Sequence, residues 1–120
     1  MKNINLQEKF ALFNDYWSPR ILTEVNDQYV KIAKVKDDFV WHEHENEDEL
    51  FFVVKGCLLI DLREAPSVEL HPGEMTVIPK KTQHRPRALE ETWILLFEPK
   101  DTQHTGDVKN DITNNKQKFI

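Results

Sequence analysis

The stretch WHEHENEDELFFVVKG, residues 41–56, decides how this sequence is interpreted. In a β-strand, side chains two residues apart lie on the same face, so a strand over residues 39–44 places His42 and His44 side by side. A hairpin turn over residues 45–48 then brings Glu49 back as the first residue of an apolar strand. An ionised carboxylate that faces an apolar interior carries a large desolvation cost unless a cation compensates it. The pattern therefore predicts a divalent metal ion held by two imidazoles and one carboxylate.

Outward from this stretch, the chain consists of short segments rich in β-branched, aromatic and leucine residues, which are typical of strands. The connections between them carry glycine, proline, asparagine and aspartate, which favour tight turns. Residues 84–88 are a further candidate, and their proline would confine them to an edge or a bulge. This alternation predicts an all-β fold, a sandwich or a barrel. The predicted strands cover residues 21–25, 29–35, 39–44, 49–54, 58–62, 68–70, 75–79 and 92–98.

The two ends of the chain lack this strand pattern. Asn5 and Glu8 have the spacing of a capping box, and apolar residues at helical spacing follow, so we predict a helix over residues 6–14 that ends before Pro19. The end of the chain is polar and shows no periodicity. The predicted organisation is an N-terminal helical segment (1–17), one β domain (18–107) and a polar tail (108–120).

Composition limits the classes of function. The chain has 120 residues, with 16 basic and 21 acidic side chains and a net charge of −5. This length supports one domain, and the acidic balance argues against a nucleic-acid partner. No apolar stretch is long enough to span a bilayer, and the first residues lack the features of a secretory signal. We therefore expect a cytoplasmic protein without a membrane partner, whose single cysteine, Cys57, is reduced and packed.

The histidine-rich stretches resemble the two signature motifs of the cupin superfamily. The first motif has a His-X-His pair, then a glutamate after three or four residues and a glycine after six more. His42, His44, Glu49 and Gly56 follow this spacing. In the second stretch, HPGEMTVIPKKTQH (residues 71–84), the positions that match the family pattern are Gly73, Pro79 and His84.

Three positions depart from the family pattern without touching a ligand position. Lys36 and Lys81 replace glycines, and Ala88 replaces an asparagine. Lys81 must then adopt a backbone conformation that glycine usually occupies. Over about residues 18–107, the chain looks like small single-domain bacterial cupins that carry a mannose-6-phosphate-isomerase-like label.

The resemblance implies a fold, a cofactor and an assembly. The fold is a double-stranded β-helix, or jelly-roll, barrel with a short N-terminal helix. The cofactor is a divalent transition metal ion: iron, nickel, manganese, zinc or copper. The assembly is a homodimer, for which the apolar helix face and the outward side chains of Leu50, Phe52 and Val54 would supply the contact surface. The implied metal ligands are His42, His44, Glu49 and His84.

Two classes of function remain open for a small-molecule partner. One is an enzyme that acts on a small oxygenated or anionic metabolite, either as a dioxygenase or as a sugar isomerase. The other is a binding module that holds a sugar or an acid without turnover. Arg85, in a cluster of cations around His84, is a candidate for binding an anionic substrate, and Phe51 shares a face with Glu49 and could line the pocket.

The remaining histidines and aromatics have simpler interpretations. We expect His71, in a turn, and His104, near the polar tail, to lie on the surface. The helix stripe and the strand aromatics are expected in the core, and the alternative is that some of them cover a neighbouring subunit: Leu6, Phe10, Phe13, Trp41, Phe52, Trp93 and Phe97.

Overall fold

The computed structural model describes residues 1–106 and 117–120 and contains, within them, one helix and eight strands. The helix ends earlier than predicted, because the amide of Leu12 bonds the carbonyl of Lys9 and tightens the last turn. The elements are α1 (Leu6–Phe10), β1 (Arg20–Val25), β2 (Gln28–Asp38), β3 (Glu49–Lys55), β4 (Leu58–Leu62), β5 (Val68–Leu70), β6 (Met75–Ile78), β7 (His84–Pro99) and β8 (Lys118–Phe119).

The strands form one rolled sheet of the cupin type with the order β5-β4-β7-β2-β1-β8, and β3 pairs with both β6 and β7. The long strand β7 organises this sheet, since its first half pairs with β4, its second half with β3, and most of its length with β2. Within the described residues the sheet is not closed by a continuous ladder of hydrogen bonds. We call the space that the sheet encloses the barrel interior.

Alternation along the strands decides which side chains enter the barrel interior. In β3, Glu49, Phe51 and Val53 are buried and the residues between them are half-buried on the outer face. Burial of such apolar faces supplies most of the driving force for folding. The buried core residues are Ala33, Val35, Phe51, Val53, Leu58, Ile60, Leu70, Ile78, Ala88, Ile94 and Leu96.

A second, smaller core lies outside the sheet, under α1. Phe10 is fully buried there and stacks on Trp93, with ring centroids 4.6 Å apart. The helix face that we expected at a subunit contact therefore packs on its own chain, and it covers Val54 as well. Only Leu50 and Phe52 of the expected contact surface lie outside this cluster.

Several sequence-based expectations about strands and core were wrong. Residues 39–44 do not form a strand, and no hairpin joins them to β3; instead His42 makes an isolated bridge with His84. The separately predicted segments 84–88 and 92–98 are one strand, β7. Of the aromatics assigned to the core, Trp93 packs against the second core under α1, whereas Trp41, Phe52 and Phe97 are half-buried.

The C-terminal end contributes to the sheet. Lys118–Phe119 pairs in parallel with β1, so the predicted polar tail over residues 108–120 contains a short strand. The rest of that predicted tail, up to residue 116, lies outside the described residues. In the part of the chain that is described, no helix has the length and apolar character needed to cross a membrane.

Candidate metal site

Three imidazoles and one carboxylate meet in the barrel interior. Each of these side chains offers one ligand atom, and the four atoms lie within 4.8 Å of one another. Nε2 of His44 is 3.3 Å from Oε1 of Glu49, and Nε2 of His84 is 3.6 Å from the same oxygen. All four residues, His42, His44, Glu49 and His84, are at most 4% exposed. Folding therefore brings together the four residues that the resemblance named.

Backbone contacts orient two of the rings. Nδ1 of His42 is 2.9 Å from the carbonyl oxygen of Val40, and Nδ1 of His84 is 2.8 Å from that of Thr82. A carbonyl only accepts hydrogen bonds, so Nδ1 carries the proton in both rings and donates it. Nε2 then presents its lone pair to the centre of the site, which is the arrangement that metal-binding histidines need.

The electrostatics of the site also favour a cation. Burial, together with the nearby His84, lowers the pKa of His42 to about 4, so this imidazole is neutral at pH 7. Burial would raise the pKa of Glu49, but contacts with His44, His84 and Glu98 outweigh it and hold this pKa well below its usual value. The donor set is therefore one imidazole nitrogen from each of three histidines, of which His42 is neutral, and one carboxylate.

The site passes a structural test for a metal. Within the described residues, Nε2 of His42, Nε2 of His84 and Oε1 of Glu49 are buried and make no well-formed hydrogen bond. Buried polar atoms without partners are costly, and a divalent cation at their centre would satisfy all of them. The residues present fit a divalent transition metal, and their chemistry does not select one metal among iron, nickel, manganese, zinc and copper.

A small apolar cavity of about 30 Å³ adjoins the site. This volume admits about two water-sized groups without movement of the walls. Trp17 and Phe39 stack in its wall with ring centroids 4.5 Å apart. The lining residues are Trp17, Pro19, Ala33, Val35, Phe39, Phe51, Pro86, Ile94 and Leu96, together with His42, Glu49 and His104.

His104 is where the sequence-based expectation was wrong. It is 7% exposed, and its ring centroid lies 5.6 Å from that of Phe39 in the cavity wall. The chain after β7 is drawn over the barrel, so that Gly106 lies directly against the backbone of Glu43 with no room for a Cβ. Local polarity suggested a surface position, and only this long-range packing buries the ring.

Sequence reasoning missed a buried ion pair beside the ligands. Nζ of Lys31 lies 3.0 Å from Oε1 of Glu98, and both residues are 1% exposed. Burial and the charge of Glu49 raise the pKa of Glu98 well above its ordinary value, while the charge of Lys31 opposes that rise. The sequence did contain a signal for this pair. Lys31 and Glu98 each lie two residues from an apolar side chain on the same strand face, and those neighbours are buried.

Arg85, the predicted anion-binding residue, has its side chain in an ion-pair cluster away from the cavity lining. Its guanidinium nitrogen Nη2 lies 2.9 Å from Oδ2 of Asp61, and Nε of Arg87 lies 2.9 Å from the same oxygen. The guanidinium groups of Arg63 and Arg85 sit 3.8 Å and 5.4 Å from the ring centroid of Trp41. A role for Arg85 in substrate binding stays a prediction, as does that of Phe51, whose side chain lines the cavity.

A second group of donor side chains lies on the exposed edge of the sheet. Cys57, Glu69 and His71 have ligand atoms within 4.8 Å of one another. Nε2 of His71 is 2.7 Å from Oε2 of Glu69, and the side chains of both are more than half exposed, at 58% and 57%. His71 is thus a surface residue, as expected, while Cys57 is a free, half-buried thiol whose pKa burial raises.

The rolled antiparallel sheet and the three histidines and one glutamate inside it define the cupin class. The Cupin domain family matches residues 28–105, and the chain belongs to the cupin superfamily. It is 36% identical over 98 residues to the uncharacterized protein YdbB of Bacillus subtilis, which covers 82% of this chain and 80% of that protein. These relatives do not confirm the expected mannose-6-phosphate-isomerase-like subtype.

Solved structures of similar proteins match most of the chain. The cupin-2 domain containing protein from Shewanella frigidimarina is 48% identical with a TM-score of 0.79, covering 81% of this chain and 94% of that one. A shorter match links the chain to acireductone dioxygenase 1 of Coprinopsis cinerea, at 42% identity over 57 residues. That match covers 43% of this chain and only 32% of the dioxygenase.

Proposed function

We propose that this protein is a metal-dependent cupin enzyme of the dioxygenase type, which acts on a small molecule with an apolar body and an oxygen donor. One observation carries the proposal: the buried three-histidine, one-glutamate donor set opens onto an apolar cavity that has His42 and Glu49 in its own wall. A molecule in this cavity would lie directly beside the metal position.

The donor set favours a substrate that binds through oxygen. Four protein ligands leave two positions of an octahedron open, as a reactive site requires and a structural site does not. A divalent ion with one carboxylate keeps a net charge of about +1, which attracts oxygen anions. When bound, the metal would supply a Lewis acid that polarises a substrate oxygen and lowers the pKa of its proton.

The surroundings of the site favour a substrate that arrives uncharged. A polar opening of about 270 Å³ beside His44 is lined by three carboxylates, those of Glu45, Glu47 and Asp101. These charges repel an approaching anion, whereas a neutral phenol or enol would acquire its negative charge only at the metal. Because the cavity measures only about 30 Å³, its walls would have to move apart before Trp17, Phe39 and Phe51 could pack against the apolar body of such a molecule and exclude water.

The partial similarity to an acireductone dioxygenase supports a dioxygenase over a sugar isomerase. A sugar isomerase is a second candidate, because it needs a proton carrier beside the metal and His104 lies in the cavity wall. The mostly apolar lining favours it less, since a sugar presents hydroxyl groups that this wall cannot bind. A binding module without turnover would use the same donor set and cavity.

The experiment compares binding with turnover. Protein purified without a histidine tag is stripped, reloaded anaerobically with Fe²⁺ or with Zn²⁺, and mixed with small enediols, catechols and hydroquinones. The enzyme proposal expects about one metal ion per chain and oxygen consumption with a new product by NMR only in the Fe²⁺ form. Calorimetric binding in both forms without oxygen uptake would favour the binding module, and a protein that takes up only trace metal would refute both.

A further inference from the structure

A thiol, an imidazole and a carboxylate meet on the outer face of the sheet, at its β4–β5 edge. The β4–β5 ladder pairs Leu58 with Leu70, and both of these side chains are buried. The next pair along this register is Cys57 opposite His71, and Glu69 lies two residues from His71. Because side chains alternate along a strand, all three point away from the barrel interior. Strand pairing thus collects three different donor groups on one face.

The donor atoms of Cys57, Glu69 and His71 are close enough to share one ion. One ligand atom from each residue lies within 4.8 Å of the other two. In a tetrahedral zinc site, bonds of about 2.0–2.3 Å place neighbouring ligand atoms about 3.3–3.6 Å apart. The side chains of Glu69 and His71 are more than half exposed, so small rotations in solvent can close the difference.

The backbone on both sides of this cluster is fixed by hydrogen bonds. The amide of Cys57 donates to Oγ1 of Thr92, and the same hydroxyl donates to the carbonyl of Cys57. In the turn after β5, the amide of Gly73 donates to the carbonyl of Val53, and the amide of Val53 donates to the carbonyl of Glu74. Only side-chain rotation is therefore needed for binding, which lowers its entropic cost.

The charges around the thiol favour a cation. The carboxylate of Glu74 accepts from the amide of His71, and that of Glu69 contacts the imidazole. Burial, together with the charges of Glu69 and Glu74, raises the pKa of Cys57, so without an ion this side chain is a neutral thiol and a poor nucleophile. A divalent cation is attracted by the same carboxylates, and on binding it releases the thiol proton to solvent and takes the thiolate as a ligand.

We propose that Cys57, Glu69 and His71 form a separate metal site, which binds Zn²⁺ on the outer face of the β4–β5 edge. Thiolate, imidazole and carboxylate are the three ligand types that zinc takes in proteins, and water completes the tetrahedron. The ion has to compete with the contact between His71 and Glu69, which is exposed and therefore weak. No residue of the interior site takes part, so this inference does not depend on the proposed function.

Co²⁺ is the probe for this site, because it can occupy zinc sites and its bond to a thiolate absorbs in the near ultraviolet. Cys57 is the single cysteine of the chain, and the interior donor set contains no sulfur, so this absorption reports the outer site alone. The reduced, metal-free chain should develop the thiolate band when titrated with Co²⁺, and excess Zn²⁺ should abolish it. Equilibrium dialysis should find about two Zn²⁺ ions per chain.

Variants of the three ligands and a matched control test the assignment. Cys57→Ser should lose the band and about one of the two Zn²⁺ ions. His71→Ala and Glu69→Gln should each need at least about 10-fold more Co²⁺ to reach half of the band, since even outer partners of a metal commonly have effects of this size. Glu64→Gln is the control, because it removes an exposed carboxylate of the same hairpin outside the cluster. It should titrate like wild type, and all four variants should melt with the wild-type transition.

The outcomes separate this inference from the proposed function. A wild type without the thiolate band in excess Co²⁺, or a His71→Ala variant with an unchanged titration, overturns the outer site. A band whose intensity per chain falls on dilution at constant free Co²⁺ shows that two chains share one ion, and it overturns the site as well. His44→Ala removes an interior ligand and should keep the band. A wild type that shows the band but binds only the ion lost in Cys57→Ser refutes the interior site and supports the outer one.

Discussion

The backbones of His42 and His84 are joined by a reciprocal bridge, in which the amide of each residue donates to the carbonyl of the other at 3.0 Å and 2.9 Å. One ligand of each sequence motif is thereby fixed to the other before any metal binds. The imidazole centroids lie 4.3 Å apart as a result. The ligand positions therefore depend on the sheet instead of on the metal, and removing a ligand should not unfold the protein.

His44→Ala should lower metal affinity by orders of magnitude, because it removes one of four directed bonds and admits water. The far-ultraviolet circular dichroism of the variant should match that of wild type. Trp41→Phe is the matched control, since Trp41 is half-buried under Arg63 on the other side of the backbone. It should keep its metal and lose about 1 kcal/mol of stability through lost packing. Metal loss in the Trp41 variant with retention in the His44 variant would contradict the ligand assignment.

The metal-free protein should lose stability as the pH falls from about 6.5 to about 4. Burial lowers the pKa of His42 to about 4, whereas an unfolded histidine has a pKa of 6.5. Between these values His42 binds a proton in the unfolded chain but not in the folded chain, so its titration favours unfolding in acid, whereas the raised pKa of Glu98 acts in the opposite direction. The stabilising contribution is complete above pH 6.5 and amounts to about 3 kcal/mol. Urea denaturation at several pH values measures it.

A His42→Gln variant should show a weaker pH dependence over that window, while a variant of the exposed His71 should follow wild type. The same change in unfolding free energy between about pH 7 and pH 5 in the metal-free wild type and in the His42→Gln variant would show that His42 is not held neutral by burial.

Asp61→Asn should destabilise the fold without affecting the metal site. Burial alone would raise the pKa of Asp61. Hydrogen bonds from Ser67, Arg87 and Arg85 outweigh this effect and lower the pKa to about 2. Loss of this carboxylate weakens the pairing of two partly exposed guanidinium groups, of which Arg85 keeps Asp38 at 3.7 Å, at a cost of about 1 kcal/mol. Thermal melting and Zn²⁺ titration of the same sample measure both effects. A change in Zn²⁺ affinity would link this outer cluster to the metal site.

We expect the protein to form a homodimer, with a mass by light scattering of about twice 14.2 kDa. The pairing of β3 with β6 places Leu50 beside Val77 and Phe52 beside Met75 on the outer face. Met75 and Val77 are 58% and 50% exposed, and such apolar strips favour association. Val77→Lys should shift the mass towards the monomer, and Leu89→Lys, at an exposed position outside the strip, should not. A monomeric wild type at micromolar concentration would contradict the expectation.

Much of the site can be predicted from the sequence, because the spacing of residues and the strand face that each residue occupies are local properties. The positions of His42, His44 and Glu49 within one short stretch, and the inward parity of Glu49 with Phe51, require no knowledge of distant residues. The glycine-like conformation expected of Lys81 is also local, and its φ of 65° confirms it.

The tertiary structure alone decided which distant residues meet. The bridge between His42 and His84 replaced the expected hairpin with β3, because a strand's partner is chosen by the roll of the whole sheet. Glu98 lies opposite Glu49 and forms an ion pair with Lys31 because β7 lies between β3 and β2. His104 is buried by the return of the chain over the barrel, against the polarity of its own segment. Periodicity determines which face of a strand a residue occupies, whereas the long-range pairing of strands determines what that face touches.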